Sequence, residues 1–136
     1  MAESPKMIDI HCHILPGIDH DGPVNYQEAL AMARMAVKDG IQTIIATPHL
    51  HENGYPCEYI HEQVEQLNRT FRAEGISLTV LPGAEARASL EPEVLAQYTL
   101  NNSHYVLLEF SDGTSAETIT TRIYDACQAG LRPIIA

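Results

Sequence analysis

Lys38-Asp39-Gly40-Ile41-Gln42-Thr43-Ile44-Ile45-Ala46-Thr47-Pro48-His49 decides the fold. A glycine ends a helical pattern because it enters the left-handed conformation at little cost, and the β-branched run behind it suits a strand. Upstream, residues 25–39 read as the helix being stopped, opened by Asn25 with Glu28 three places on in the manner of a capping box. The same order of events returns twice. A helix over 58–74 carries Ile60, Val64, Leu67 and Phe71 on one stripe, stops at Gly75 and gives way to a strand over 76–81. Another starts near Ser115, turns Ile119, Ile123 and Ala126 inward, stops at Gly130 and leads into a strand over 131–136.

Apolar runs over 7–11 and 105–110 bring the count to five strands, with a weaker helix over 91–97. Strands separated by helical crossovers imply an α/β fold with a parallel sheet, whose ligands bind at the carboxyl ends of the strands. The last strand has no helix after it, so we expect residues 1–136 to be a single domain forming the N-terminal portion of a barrel, incomplete at its C-terminus. A complete open five-stranded sheet is the rival expectation.

The 136 residues and 45% hydrophobic content suit one folded domain with one active site. Eighteen acidic against eight basic residues give a net charge of -10, which argues against nucleic acid as a partner. Three cysteines, Cys12, Cys57 and Cys127, make neither a CxxC pair nor an even set, so no disulfide framework is expected and a reducing cytoplasm is the expected location. Neither a leader with an apolar core nor a membrane-spanning run is read from the sequence.

Chemistry-bearing residues recur where strands end: His11 and His13 after the first, His49 after the second, Glu85 after the third and Glu109 after the fourth. A parallel sheet gathers those ends, so three imidazoles and two carboxylates can converge. Alternate residues of an extended segment share a face, which lets His11 and His13 reach one ion while Cys12 points away. Asp19 and Asp21 sit in a turn-rich loop with Gly17, Gly22 and Pro23; Asp21 is read as a ligand and Asp19 as an Asx-turn residue. His51 and His61 read as surface residues and His104 as a strand-edge residue. Glu109 interrupts an apolar run where an unpaired charge is costly to bury, and a cation would offset that cost. Mixed imidazole and carboxylate donors favour manganese, iron or zinc, ions that activate water and clamp phosphoryl oxygens.

These residues stand in longer motifs: Met7-Ile8-Asp9-Ile10-His11-Cys12-His13-Ile14-Leu15-Pro16-Gly17-Ile18-Asp19, Ala46-Thr47-Pro48-His49, Gly83-Ala84-Glu85 and Leu107-Leu108-Glu109-Phe110-Ser111. In this combination the chain resembles the polymerase and histidinol phosphatase (PHP) family, and within it the bacterial tyrosine-protein phosphatases of capsule and exopolysaccharide synthesis. The resemblance implies a distorted, seven-stranded TIM-like (β/α) barrel holding up to three metal ions, usually manganese, that hydrolyses phosphotyrosine on a tyrosine autokinase. It implies that His11 and His13 hold one metal with Glu109 as a bridging ligand, that Glu85 serves a second, and that Asp21 and His49 serve a third. In the family two aspartates stand together before Gly-Pro; here His20 separates them, and Asp21 is chosen because it adjoins Gly22-Pro23. Further family ligands and substrate-binding arginines fall beyond Ala136, so no catalytic residue is assigned and residues 1–136 alone are expected to show little or no activity.

Cysteine-based phosphate transfer needs an arginine six residues after the cysteine, and Cys12, Cys57 and Cys127 are followed there by Ile18, Gln63 and Pro133. The leading expectation is therefore a metal-dependent protein-tyrosine phosphatase. Its alternatives are a histidinol-phosphate phosphatase or another PHP phosphoesterase, and a non-catalytic module that binds a metal or partner. Exposed strand edges add the expectation of a homo-oligomer or of a covering second half.

Overall fold

Helix and strand alternate through residues 6–50 and 55–136, the residues described in this computed structural model. His51 lies outside them. The chain runs β1 (Met7–Cys12), α1 (Tyr26–Lys38), β2 (Ile41–Ala46), β3 (His49–Leu50), α2 (Cys57–Ala73), β4 (Thr79–Pro82), β5 (Glu85–Arg87), α3 (Pro92–Leu95), β6 (Tyr105–Glu109), α4 (Ala116–Gln128) and β7 (Arg132–Ile135). Every strand pair among the described residues is parallel, in the orders β1-β2-β4 and β3-β5-β6-β7.

Local chemistry explains the helix ends. Asn25 Oδ1 accepts the Glu28 amide at 3.0 Å, while Glu28 Oε2 reaches back to the Val24 amide at 2.8 Å, one residue before the position a standard capping box uses. Gly40 and Gly75 stop α1 and α2 with φ of +89° and +70°. Ala29, Ala33 and Ala36 of α1 and Ile60, Val64, Leu67 and Phe71 of α2 bury one stripe each against β2 and β4. Asn68, also on α2, exchanges two 2.8 Å hydrogen bonds with the backbone of Val80, satisfying an amide and a carbonyl of β4.

Three details depart from expectation. Where five strands were read there are seven among the described residues, because β3 and β5, which follow breaks at Thr47-Pro48 and Gly83-Ala84, lie beyond the strands read over 41–47 and 76–81. Proline lacks the amide a ladder needs, and the Glu85 amide donates to the Pro48 carbonyl at 3.0 Å, so the two interruptions lie side by side. The third strand also starts late, at Thr79, since Ile76 and Leu78 are buried in the core before sheet pairing begins. On α4 only Ala126 is fully buried, with Ile119 and Ile123 half-exposed, so its apolar stripe is less covered than those of α1 and α2.

Candidate metal centre

The carboxyl ends of the strands bring a set of imidazoles and carboxylates together. His11 lies in β1 and His13 just beyond it; Thr47, fully buried, fastens that segment to the end of β2 by accepting the Cys12 amide at 3.0 Å. The interruption after β2 turns His49 into β3, paired in register with Glu85 of β5. Glu109 ends β6. His11, His13, Asp21, His49, Glu85 and Glu109 thus all fall in one cluster, whereas His61 and His104 are exposed elsewhere.

One oxygen organises it. Glu85 Oε2 stands 3.0 Å from His13 Nε2, 3.3 Å from His11 Nε2 and 3.4 Å from His49 Nδ1, although the Glu85 side chain is only 7% exposed. On its other side His13 presents Nδ1 to Asp19 Oδ2 at 3.1 Å and to Asp21 Oδ1 at 3.5 Å. His49 Nε2 lies 3.3 Å from Asp21 Oδ2, and its Nδ1 lies 3.3 Å from Glu109 Oε2.

Asp19 is the donor that the sequence did not reveal. Its carbonyl accepts the Gly22 amide at 3.2 Å within the loop, while its carboxylate points inward and takes the His49 amide at 2.9 Å. Gly22 is needed for this path, because a Cβ there would meet the His13 carbonyl oxygen at 2.7 Å. His20, between the two aspartates, stacks over His49 with ring centroids 6.0 Å apart.

These residues form three overlapping groups able to hold a cation: His13, Asp19, Asp21 and His49; His11, His13 and Glu85; and His49, Glu85 and Glu109. Glu109 thus groups with His49 and Glu85, where the resemblance implied His11 and His13 as its companions. Donors about 2.0–2.2 Å from a shared ion stand roughly 3 Å apart, as these do. Ion pairing leaves Glu85 Oε2, Asp19 Oδ2 and His13 Nδ1 buried without hydrogen-bond geometry, a costly state that a cation would relieve. The donor set therefore fits divalent metal.

The electrostatics follow. The Asp19 carboxylate beside His13 raises its pKa above the ordinary 6.5 despite opposing burial. Burial works to lower that of His49, but Asp21 and Glu85 outweigh it and raise the pKa. Burial tends to raise Asp21, yet His49 and His13 hold it below the usual 3.8. Cys12 packs among the apolar residues beneath the site, where burial, then Asp9, pushes its thiol up to about 11. Among the described residues no helix is long and apolar enough to cross a membrane.

Residues 7–136 match the family profile described as capsular polysaccharide synthesis, CpsB/CapC. The chain is 44% identical to the tyrosine-protein phosphatase YwqE of Bacillus subtilis (strain 168) over 96% of its length and 53% of that protein's. It is 35% identical to the tyrosine-protein phosphatase CpsB of Streptococcus pneumoniae, covering 96% of this chain and 56% of the other. The fold superimposes with a TM-score of 0.85 and 40% identity on a solved chain from work describing YwqE and CpsB as unique metal-dependent tyrosine phosphatases, covering 95% of this chain and 54% of that one. The chain spans about half the length of the curated relatives it matches.

Proposed function

The chain belongs to the capsular polysaccharide synthesis CpsB/CapC family, and on that premise we propose that it carries metal ligands of a metal-dependent protein-tyrosine phosphatase. The substrate is a phosphotyrosyl protein, a bacterial tyrosine autokinase that regulates capsular or exopolysaccharide synthesis, met in the cytoplasm. Residues 1–136 then form one PHP-type domain whose strands are consecutive members of a distorted seven-stranded TIM-like barrel, and a homo-oligomer is the assembly we favour. The relatives' names and the 0.85 superposition support this reading.

The observation that carries it is the single buried oxygen of Glu85 among three imidazole nitrogens. His11, His13, Asp21, His49, Glu85 and Glu109, joined by Asp19, are the proposed ligands, and manganese, with up to three ions, is the proposed metal. Bound ions supply activation of water and charge for the phosphoryl oxygens. The chain's own residues do the rest: Glu85 and His13 fix the centre from below, and Asp21 and Glu109 approach it from solvent.

Phosphate release from a phosphotyrosyl peptide by the metal-loaded protein tests the proposal, with histidinol phosphate and a phosphoseryl peptide alongside. We expect manganese-dependent release from the phosphotyrosyl peptide by a form that also carries the remaining half of the family fold, abolished there in His49→Ala, and little or none by residues 1–136 alone. Preference for histidinol phosphate, or release indifferent to metal, would overturn it.

A further inference from the structure

Beside the metal centre, at the same carboxyl ends of β5 and β6, lies a cleft of about 170 Å³. Arg87 and Arg122 line it, with the hydroxyls of Ser89 and Ser111, the ring of Phe110 and the carboxylate of Glu109. Arg87 ends β5 in register with Glu109 of β6, whereas Arg122 comes from α4, thirty-five positions later. Glu109 belongs to both places: its Oε2 lies 3.3 Å from His49, and the same side chain forms the cleft wall.

Two cations meeting here are unexpected in a chain with eighteen acidic and eight basic residues. Arg34 and Arg69 are paired, with Glu74 and Glu65 respectively. Arg87 and Arg122 have no ion pair among the described residues, although Arg122 is half-buried and Glu117 and Asp125 line a neighbouring groove with it. Guanidinium forks bind carboxylates with paired, directional hydrogen bonds, and hydroxyls can complete such a site. A cavity of about 150 Å³ takes a benzene-sized group, so this cleft has room for one side chain. An extended peptide advances roughly 3.3–3.6 Å per residue, so a substrate held at the metal centre would bring a near neighbour to the cleft.

We propose that this cleft is a specificity subsite that receives an acidic side chain flanking the phosphotyrosine of the substrate polypeptide, with Arg87 and Arg122 as its carboxylate-binding residues. The proposal rests on the phosphatase reading above and adds the sequence character of the substrate. Glu109, engaged with the metal centre, gives the cleft a wall that excludes a second negative group unless it is turned toward the arginines.

The test measures binding of two fluorescent peptides to the manganese-loaded protein. Each carries a non-hydrolysable phosphotyrosine mimic, flanked by glutamate in one and glutamine in the other. We expect the glutamate peptide to bind about ten-fold more tightly, the difference to vanish in Arg122→Gln and shrink in Arg87→Gln, and to persist in Arg72→Gln. Arg72, by the amino-terminal ends of β2 and β4, changes the net charge equally but lies away from the cleft. Equal affinities, a preference that survives both cleft variants, or one lost in Arg72→Gln would overturn the subsite. Absence of binding by either peptide also overturns it, and the separate phosphate-release assay tells whether the phosphatase reading fails too.

Discussion

The floor of the metal centre and its rim use the same residue types under opposite constraints. Glu85 and Asp19 on the floor are 7% and 3% exposed, and the imidazole between them, His13, 14%. On the rim, Glu109, Asp21 and His11 are 38%, 46% and 38% exposed. A floor carboxylate cannot turn to water when its partner is lost, so its position is set by the fold and its charge demands a cation. A rim carboxylate can turn outward, which suits a group that must yield space to substrate. The difference separates carboxylates that the fold holds fixed from those free to turn toward solvent.

The largest expected effect sharpens that contrast. Glu85→Gln keeps the shape but removes the floor charge, and should weaken manganese binding on the order of 100-fold or more, against about ten-fold for Glu109→Gln, by titration calorimetry. Equal losses would erase the distinction between floor and rim. A smaller effect concerns how the loop is pressed onto the floor: Gly22→Ala places a methyl 2.7 Å from the His13 carbonyl and should lower metal-free stability by about 1–3 kcal/mol in thermal unfolding. An unchanged melting temperature would mean the loop yields freely.

The smallest effect is one of sign. His13 and His49 have raised pKa values in the metal-free fold, so the stability they add is complete below 6.5 and is lost as pH rises through their folded values. Asp21 acts at the other end, adding stability above 3.8 that is lost as pH falls through its lowered value; its exposure keeps this contribution small. Metal needs deprotonated imidazoles, so the manganese-loaded protein should instead gain stability as pH rises through the same neutral window. Melting curves with and without metal that shift in the same direction would contradict this.

Much of the fold was legible because its signals are local. Gly40, Gly75 and Gly130 each follow a helical stripe and precede a β-branched run, and the helices were placed to within a residue or two at most ends. The interruptions after β2 and β4 were not legible, since a ladder that changes partner at Pro48 and Gly83 depends on what lies alongside. His11 and His13 declared themselves through spacing. Asp19 did not, because its turn-forming backbone explained its presence, and its inward carboxylate is a fact of tertiary structure. Arg87 and Arg122 share a cleft only because α4 packs beside β5 and β6.

Cys12 sits between two of the imidazoles that line the centre, yet its thiol is turned into the core with a pKa near 11. At neutral pH the thiolate fraction is then on the order of one in ten thousand. Peroxide attacks the thiolate, so this inward thiol offers it little to react with. Burial of one small side chain thus lends the cluster chemical durability as well as packing: a sulfur atom next to the imidazoles that is slow to oxidise.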